Sequence, residues 1–190
     1  MKWLNSADRY GVISMALHWL VLLLFVATYA SIELREIFPK ASEPREAMKV
    51  WHFMLGLSVL ALMLPRLWFM FQGRFPAIQP EPPHWQKMPA RMMHLSLYGL
   101  MILMPLSGWL LLSAEAKPIA FFGLQLPALI GESKTVADVT EEFHEILGTL
   151  GYFLIGLHSA AALTHHYLLR DNTLKRMLPK CCDTKINRYK

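Results

Sequence analysis

The chain has 190 residues, 54% of them hydrophobic and only 17% charged, with a formal net charge of +5. That is too apolar for an ordinary soluble domain, and the apolar residues gather in blocks longer than the roughly 18 to 20 residues that cross a bilayer. The blocks take up most of the chain, which excludes a separate soluble catalytic domain and confines any chemistry to the space between helices or to their ends.

The first block runs from about Val12 to Ile32. Lys2 and Arg9 ahead of it, with Thr28-Tyr29-Ala30 near its end, loosely resemble a secretory signal, but the run is too long for a signal's apolar core and carries His18 and Trp19. It reads as a retained helix that brings His18 into the bilayer about two turns from its end. Trp19 and Tyr29 read as interfacial or packing aromatics. The connection Glu33 to Lys49 mixes both charges with Pro39 and Pro44, an ordered short loop.

The second block, Ala47 to Phe71, carries His52 near one end, Gly56 four residues on and Arg66 fourteen residues on, all toward the histidine face. A buried arginine wants an anion, so Arg66 is expected to neutralise a cofactor's acid group, with snorkelling to the headgroups as the alternative. Gln72 to Pro89 is polar and proline-rich, a loop in which His84 is solvated. The third block, Met92 to Leu112, belongs to a helix beginning near Pro89; His94 lies close to that end, and Pro105 with Gly108 signals a kink. Ser113 to Glu142 forms the longest connection, whose semi-apolar PIAFFGLQLPALIG is expected on the membrane surface. Asp138 or Thr140 is the expected N-cap of the last helix.

The fourth block, Phe143 to Leu169, holds His144 and His158 fourteen residues apart. At about 3.6 residues per turn both point to one face, roughly 21 Å apart along the axis. Gly148 and Gly151 lie between them on that face, and Ala162 and His165 beyond. Small residues beside one histidine need mean no more than close helix packing and an imidazole bonded to a carbonyl. Two histidines on one stripe, cleared by glycine, favour ligands for something flat and large.

Orientation follows from the basic residues. The N-terminus, the second connection and the tail share one side and hold thirteen Lys and Arg, against six in the first and third connections. Both termini are therefore expected in the cytoplasm, and the positive charge reflects membrane topology; it implies lipid as a partner and no nucleic acid. Cys181 and Cys182 fall in the reducing compartment, where a structural disulfide is not expected. The predicted architecture is an all-α four-transmembrane-helix bundle, one domain over 1–180 with a cytoplasmic tail at 181–190.

Helix direction then pairs the histidines by depth: His52 with His144 in the outer leaflet, His18 with His158 in the inner. Two bis-histidine sites at two depths suit two b-type haems, each iron taking one imidazole from each of two facing helices. Zinc would want three or four converging ligands, and a proton relay would want acids in the span centres, where the sequence has none.

The run FHEILGTLGYFLIGLHSAAALTHHYLLRDNTLKRMLP, with ALHWLVLLL near the start and VWHFMLGLSVLALMLPR in the second block, resembles the prokaryotic cytochrome b561 family of the bacterial inner membrane. The resemblance covers all four helices; the tail beyond Lys180 is outside it. It implies a di-haem b fold with His18, His52, His144 and His158 as axial ligands, and His165 as a quinone-contacting residue. It also implies oxidation of external superoxide with ubiquinone as the electron acceptor. Arg35, Lys40 and Arg45 near the His52 end would favour the approach of such an anion, and Glu33, Glu36, Glu43 and Glu46 count against it. The rival reading is a cytochrome b subunit that passes electrons between quinone and a partner dehydrogenase or cytochrome.

Overall fold

A computed structural model of the chain describes residues 3–72 and 75–179; Cys181, Cys182 and the tail at 181–190 lie outside the described residues. Four helices are long and apolar enough to cross a membrane. They are α1 (Val12–Leu34), α2 (Glu43–Gln72), α3 (His84–Ala114) and α4 (Lys134–Tyr167), and a short hairpin of β1 (Ile119–Phe121) and β2 (Leu124–Leu126) lies between the last two. In hydrocarbon every backbone N–H and C=O must be paired within the protein, which an unbroken helix achieves by itself. The outward side chains fit that solvent: Leu23, Val26, Leu64, Phe153 and Leu157 are all exposed.

Three boundaries differ from the sequence expectation. The helix α3 begins at His84, immediately after Pro82-Pro83 and with Gln86 N–H donating to the Pro83 carbonyl, so Pro89 falls inside it and the loop is shorter. The helix α4 begins at Lys134, and its cap is Ser133, whose carbonyl accepts from Ala137 N–H at 3.0 Å and whose hydroxyl accepts from Val136 N–H at 3.5 Å. Asp138 and Thr140 are therefore helix-interior residues. The apolar stretch after α3 is the antiparallel β1–β2 hairpin, with Phe121 opposite Leu124. Its two turn residues, Phe122 and Gly123, both have positive φ, 46° and 85°, the backbone that matches the twist of a two-residue hairpin.

The chain forms two compact units. One comprises Leu20–Leu64 and Tyr98–Gly151. Its core joins Leu57 of α2, Leu112 of α3 and Ile119 of β1, with Phe53, Trp109, Phe121 and Leu126 packed around them. The hairpin is thereby fixed: Trp109 donates to the Pro127 carbonyl and Ser113 accepts from Leu129 N–H, both at 3.0 Å.

The other unit comprises Met1–Trp19, Pro65–Leu97 and Tyr152–Lys190. Here the segment after α4 is laced to the start of the chain and to the loop before α3. Trp19 Nε1 donates to the Met177 carbonyl at 2.8 Å and Arg9 Nη1 to the Leu178 carbonyl at 2.9 Å. Gln79 N–H donates to Asn172 Oδ1, and Asn172 N–H returns the bond to the Gln79 carbonyl. Arg176, buried, donates to the Pro76 carbonyl and lies over the Tyr10 ring.

Candidate functional site

Each unit brings histidine rings from different helices together, two rings in one unit and three in the other. In the Leu20–Leu64/Tyr98–Gly151 unit, His52 of α2 and His144 of α4 have ring centroids 6.1 Å apart at 75°. In the other, His18 of α1 and His158 of α4 stand 6.3 Å apart at 63°. Two imidazoles on opposite sides of one metal ion, each with a bond of about 2 Å, have their centroids about 6 Å apart. The donor set and spacing of both pairs therefore fit a bis-imidazole iron. Among the described residues no group of three or more His, Cys, Asp or Glu is placed to hold a metal ion.

A ligating imidazole must present a lone pair from one nitrogen while the other is held by an acceptor. His52 Nδ1 lies 3.1 Å from the Thr28 carbonyl, which can only accept, so the proton is on Nδ1 and Nε2 carries the lone pair. His144 Nδ1 lies 2.9 Å from Ser107 Oγ, and that hydroxyl donates its own proton to the Met104 carbonyl at 2.8 Å. The tautomer is again fixed with Nε2 as the lone-pair nitrogen. On the same turn of α3, a Cβ at Gly108 would approach His144 Cε1 to 3.3 Å. Nothing in the sequence marks Thr28 or Ser107, and Gly108 stands there only beside Pro105 as a kink signal.

The His18/His158 pair is built differently. Arg66 Nη2 lies 3.1 Å from His18 Nδ1. A guanidinium has no acceptor, so this bond leaves the His18 proton on Nε2. Were His18 to hold a metal through Nε2, its proton would sit on Nδ1, and Arg66 would donate to another acceptor, of which an anion is the best match. His94 of α3 adds a third ring, 5.7 Å from His158 and at 69° to it. Trp19 stands edge-on to His18 at 5.3 Å.

The glycines separate by surroundings. A Cβ at Gly56 would meet nothing within 4 Å, and at Gly148 only the Met104 methyl at 3.6 Å. Gly151 faces the Tyr29 phenol, whose hydroxyl would collide with a Cβ there and which donates to the Gly148 carbonyl at 2.9 Å. Tyr29 is thus a packing aromatic with a satisfied hydroxyl.

Beyond His158, His165 Nδ1 bonds Asp171 Oδ2 at 2.5 Å. Asp171 is only 5% exposed, and its second oxygen accepts from Thr173 N–H at 2.8 Å. Burial pushes its carboxyl up, but the bonds from His165 and Thr173 outweigh that and hold it below the usual carboxylate range. In the first connection, Glu36 bonds both Arg35 Nε at 2.9 Å and Arg45 Nη2 at 2.8 Å, so Arg35 is paired with an acid, while Lys40 is exposed.

Four apolar spans with imidazole pairs and no accompanying acidic ligands are the features of a membrane cytochrome of the b type. The chain matches the family model described as prokaryotic cytochrome b561 over residues 9–180, and it belongs to that family. It is 37% identical over 173 residues to cytochrome b561 homolog 1 of Escherichia coli (strain K12), covering 91% of this chain and 98% of that one. It is 38% identical over 172 residues to the probable superoxide oxidase CybB of Yersinia pestis, covering 90% and 97%. With cytochrome b561 homolog 2 of Escherichia coli (strain K12) the identity is 31% over 191 residues, covering 95% and 96%. The protein is accordingly a multi-pass membrane oxidoreductase that binds b-type haem and transfers electrons across the membrane.

Proposed function

We propose that the protein holds two b haems, one at His52/His144 and one at His18/His158, and oxidises superoxide outside the bacterial inner membrane while reducing ubiquinone beside His165. The observation that carries this reading is that α4 is one unbroken helix bearing a member of each imidazole pair, fourteen residues apart in the chain. Bound haem supplies one-electron chemistry at each pair; the chain supplies the imidazoles, the acceptors that orient them and a water-poor surround. Gly56, Gly148 and Gly151 lie on the ligand faces of their helices, and Arg66, beside His18, is the cation that would neutralise a haem propionate. Both termini lie in the cytoplasm, in keeping with the thirteen basic residues on their side.

The donor rests on the relative named as a probable superoxide oxidase. The balance is two superoxide anions giving two dioxygens, their two electrons and two protons converting ubiquinone to ubiquinol. His165, one heptad past His158, is the residue at the quinone, its ring held by Asp171 through Nδ1. Lys40 and Arg35 are the entry charges for the anion, Lys40 the more effective because Arg35 is tied to Glu36.

The test is superoxide-dependent ubiquinone reduction by the purified protein alone, followed against ionic strength for wild type, Lys40→Gln and Arg35→Gln. Reduction is expected, with Lys40→Gln slower at low salt and the difference fading as the charges are screened. No reduction by superoxide, together with haem reduction by a partner dehydrogenase or cytochrome, would replace this reading with the electron-transfer subunit.

A further inference from the structure

We propose that Ser107 and Gly108 of α3, a helix that contributes no ligand, are the positioning residues of the His52/His144 site. The inference rests on that pair being ligands to one iron, and it concerns what determines how the His144 ring presents itself. Serines in apolar helices commonly return their proton to a carbonyl three or four residues back, and Ser58 and Ser31 do so to the Met54 and Thr28 carbonyls. Ser107 does this too, toward Met104, but its oxygen also takes the His144 Nδ1–H at 2.9 Å. Because its only proton is committed to Met104, Ser107 can act toward His144 solely as an acceptor. The ring is therefore held as the Nδ1–H tautomer with Nε2 available to the metal.

Gly108 acts on the same ring by what it lacks. A side chain there would bring a Cβ to 3.3 Å from His144 Cε1, the carbon between the two ring nitrogens, and would press the ring out of the plane that Ser107 selects. Ser107 is 6% exposed, so no water replaces its oxygen readily once the hydroxyl is removed. Both rings meet a backbone carbonyl, His52 that of Thr28 and His144 that of Met104, and what His144 has in addition is the Ser107 hydroxyl. The side-chain contribution to ring orientation that a substitution can remove is therefore the one at His144. A hydrogen bond from Nδ1–H makes an imidazole a stronger base toward its metal, which favours ferric over ferrous iron and lowers the potential.

The experiment uses full-length protein purified in detergent, as wild type, Ser107→Ala, Ser107→Thr and Gly108→Ala. Haem per chain, midpoint potentials and the low-temperature EPR spectrum of the ferric protein are measured. Wild type with two low-spin haems supports the underlying reading; wild type lacking one overturns that reading whatever the variants do. Given two haems, Ser107→Ala is expected to raise one midpoint potential by about tenfold in the ferric-to-ferrous ratio, 59 mV for one electron. Alternatively it binds that haem about 10 to 100 times more weakly. Ser107→Thr, which keeps the hydroxyl, retains the wild-type values, and Gly108→Ala changes the EPR g-values of the same haem. A Ser107→Ala protein with wild-type haem content, potentials and g-values would overturn the hydroxyl's role. So would equal haem loss from Ser107→Ala and Ser107→Thr, which would point to space alone. Unchanged g-values in Gly108→Ala would overturn the role of Gly108.

Discussion

His165 donates from Nδ1 to a carboxylate oxygen of Asp171 at 2.5 Å, and Asp171 is buried behind it with its other oxygen on the Thr173 amide. The imidazole is thus fixed in orientation through Nδ1, an arrangement suited to proton transfer with a reduced quinone at its other nitrogen. Asp171→Asn keeps the shape and removes the charge. It is expected to lower the maximal rate of quinone reduction by about tenfold with haem content unchanged; an unaltered rate in a stopped-flow assay would separate His165 from the quinone. The same bond has a pH signature. A carboxylate held below its usual value adds stability that is complete above about pH 4 and is lost as pH falls below it. Thermal denaturation of wild type and Asp171→Asn should therefore converge in acid and differ at neutral pH.

The ligand assignment predicts single-haem proteins. His52→Ala or His144→Ala should remove the haem of one unit, and His18→Ala or His158→Ala that of the other. His94→Ala is the discriminating variant, because its ring is closer to His158 than that of His18 is. It should retain both haems in a pyridine haemochrome titration. Loss of one would move the second ligand from α1 to α3.

Arg66 sets a sign. A cation beside the His18/His158 pair favours the electron-rich ferrous state, so Arg66→Leu should lower that haem's midpoint potential. At an effective dielectric of about 20 and a separation of about 10 Å the effect is roughly 1.7 kcal/mol, about 70 mV. Arg66→Lys should recover part of it. A potentiometric titration with no change would mean that Arg66 serves the headgroups instead.

The glycines should part company on substitution. Gly151→Ala forces the Tyr29 phenol to move and is expected to cost about 1 to 3 kcal/mol of stability by overpacking. Gly56 has open space before it, so Gly56→Ala should leave the thermal stability of haem-free protein unchanged and reduce haem occupancy. Equal behaviour of the two in a melting assay with and without added haem would show that neither clears a macrocycle.

The spans and the shared histidine face are legible in the sequence. Hydropathy blocks give the four spans because the bilayer imposes a length on each, and the fourteen-residue step from His144 to His158 gives one face because the helical period is fixed. Ser107 was not legible: it meets a residue 37 positions away, and a serine that orients a ligand has the same sequence surroundings as Ser58, which bonds only its own helix. The start of α4 was misplaced because Ser133, Asp138 and Thr140 are all competent caps, and only the chain's path selects among them. The hairpin was hidden because Phe122 at φ 46° is a turn residue that no apolar pattern announces; Gly123 alone signalled it.

The lacing of the first residues to the last has a consequence for biogenesis. Arg9 and Trp19 bond the carbonyls of Leu178 and Met177, so the contacts that close the unit around His18 and His158 form only once the segment after α4 has been made. The unit around His52 and His144 draws its residues from Leu20–Leu64 and Tyr98–Gly151, all of them made earlier. Synthesis from the N-terminus therefore supplies the surroundings of one imidazole pair before it supplies the strap of the other.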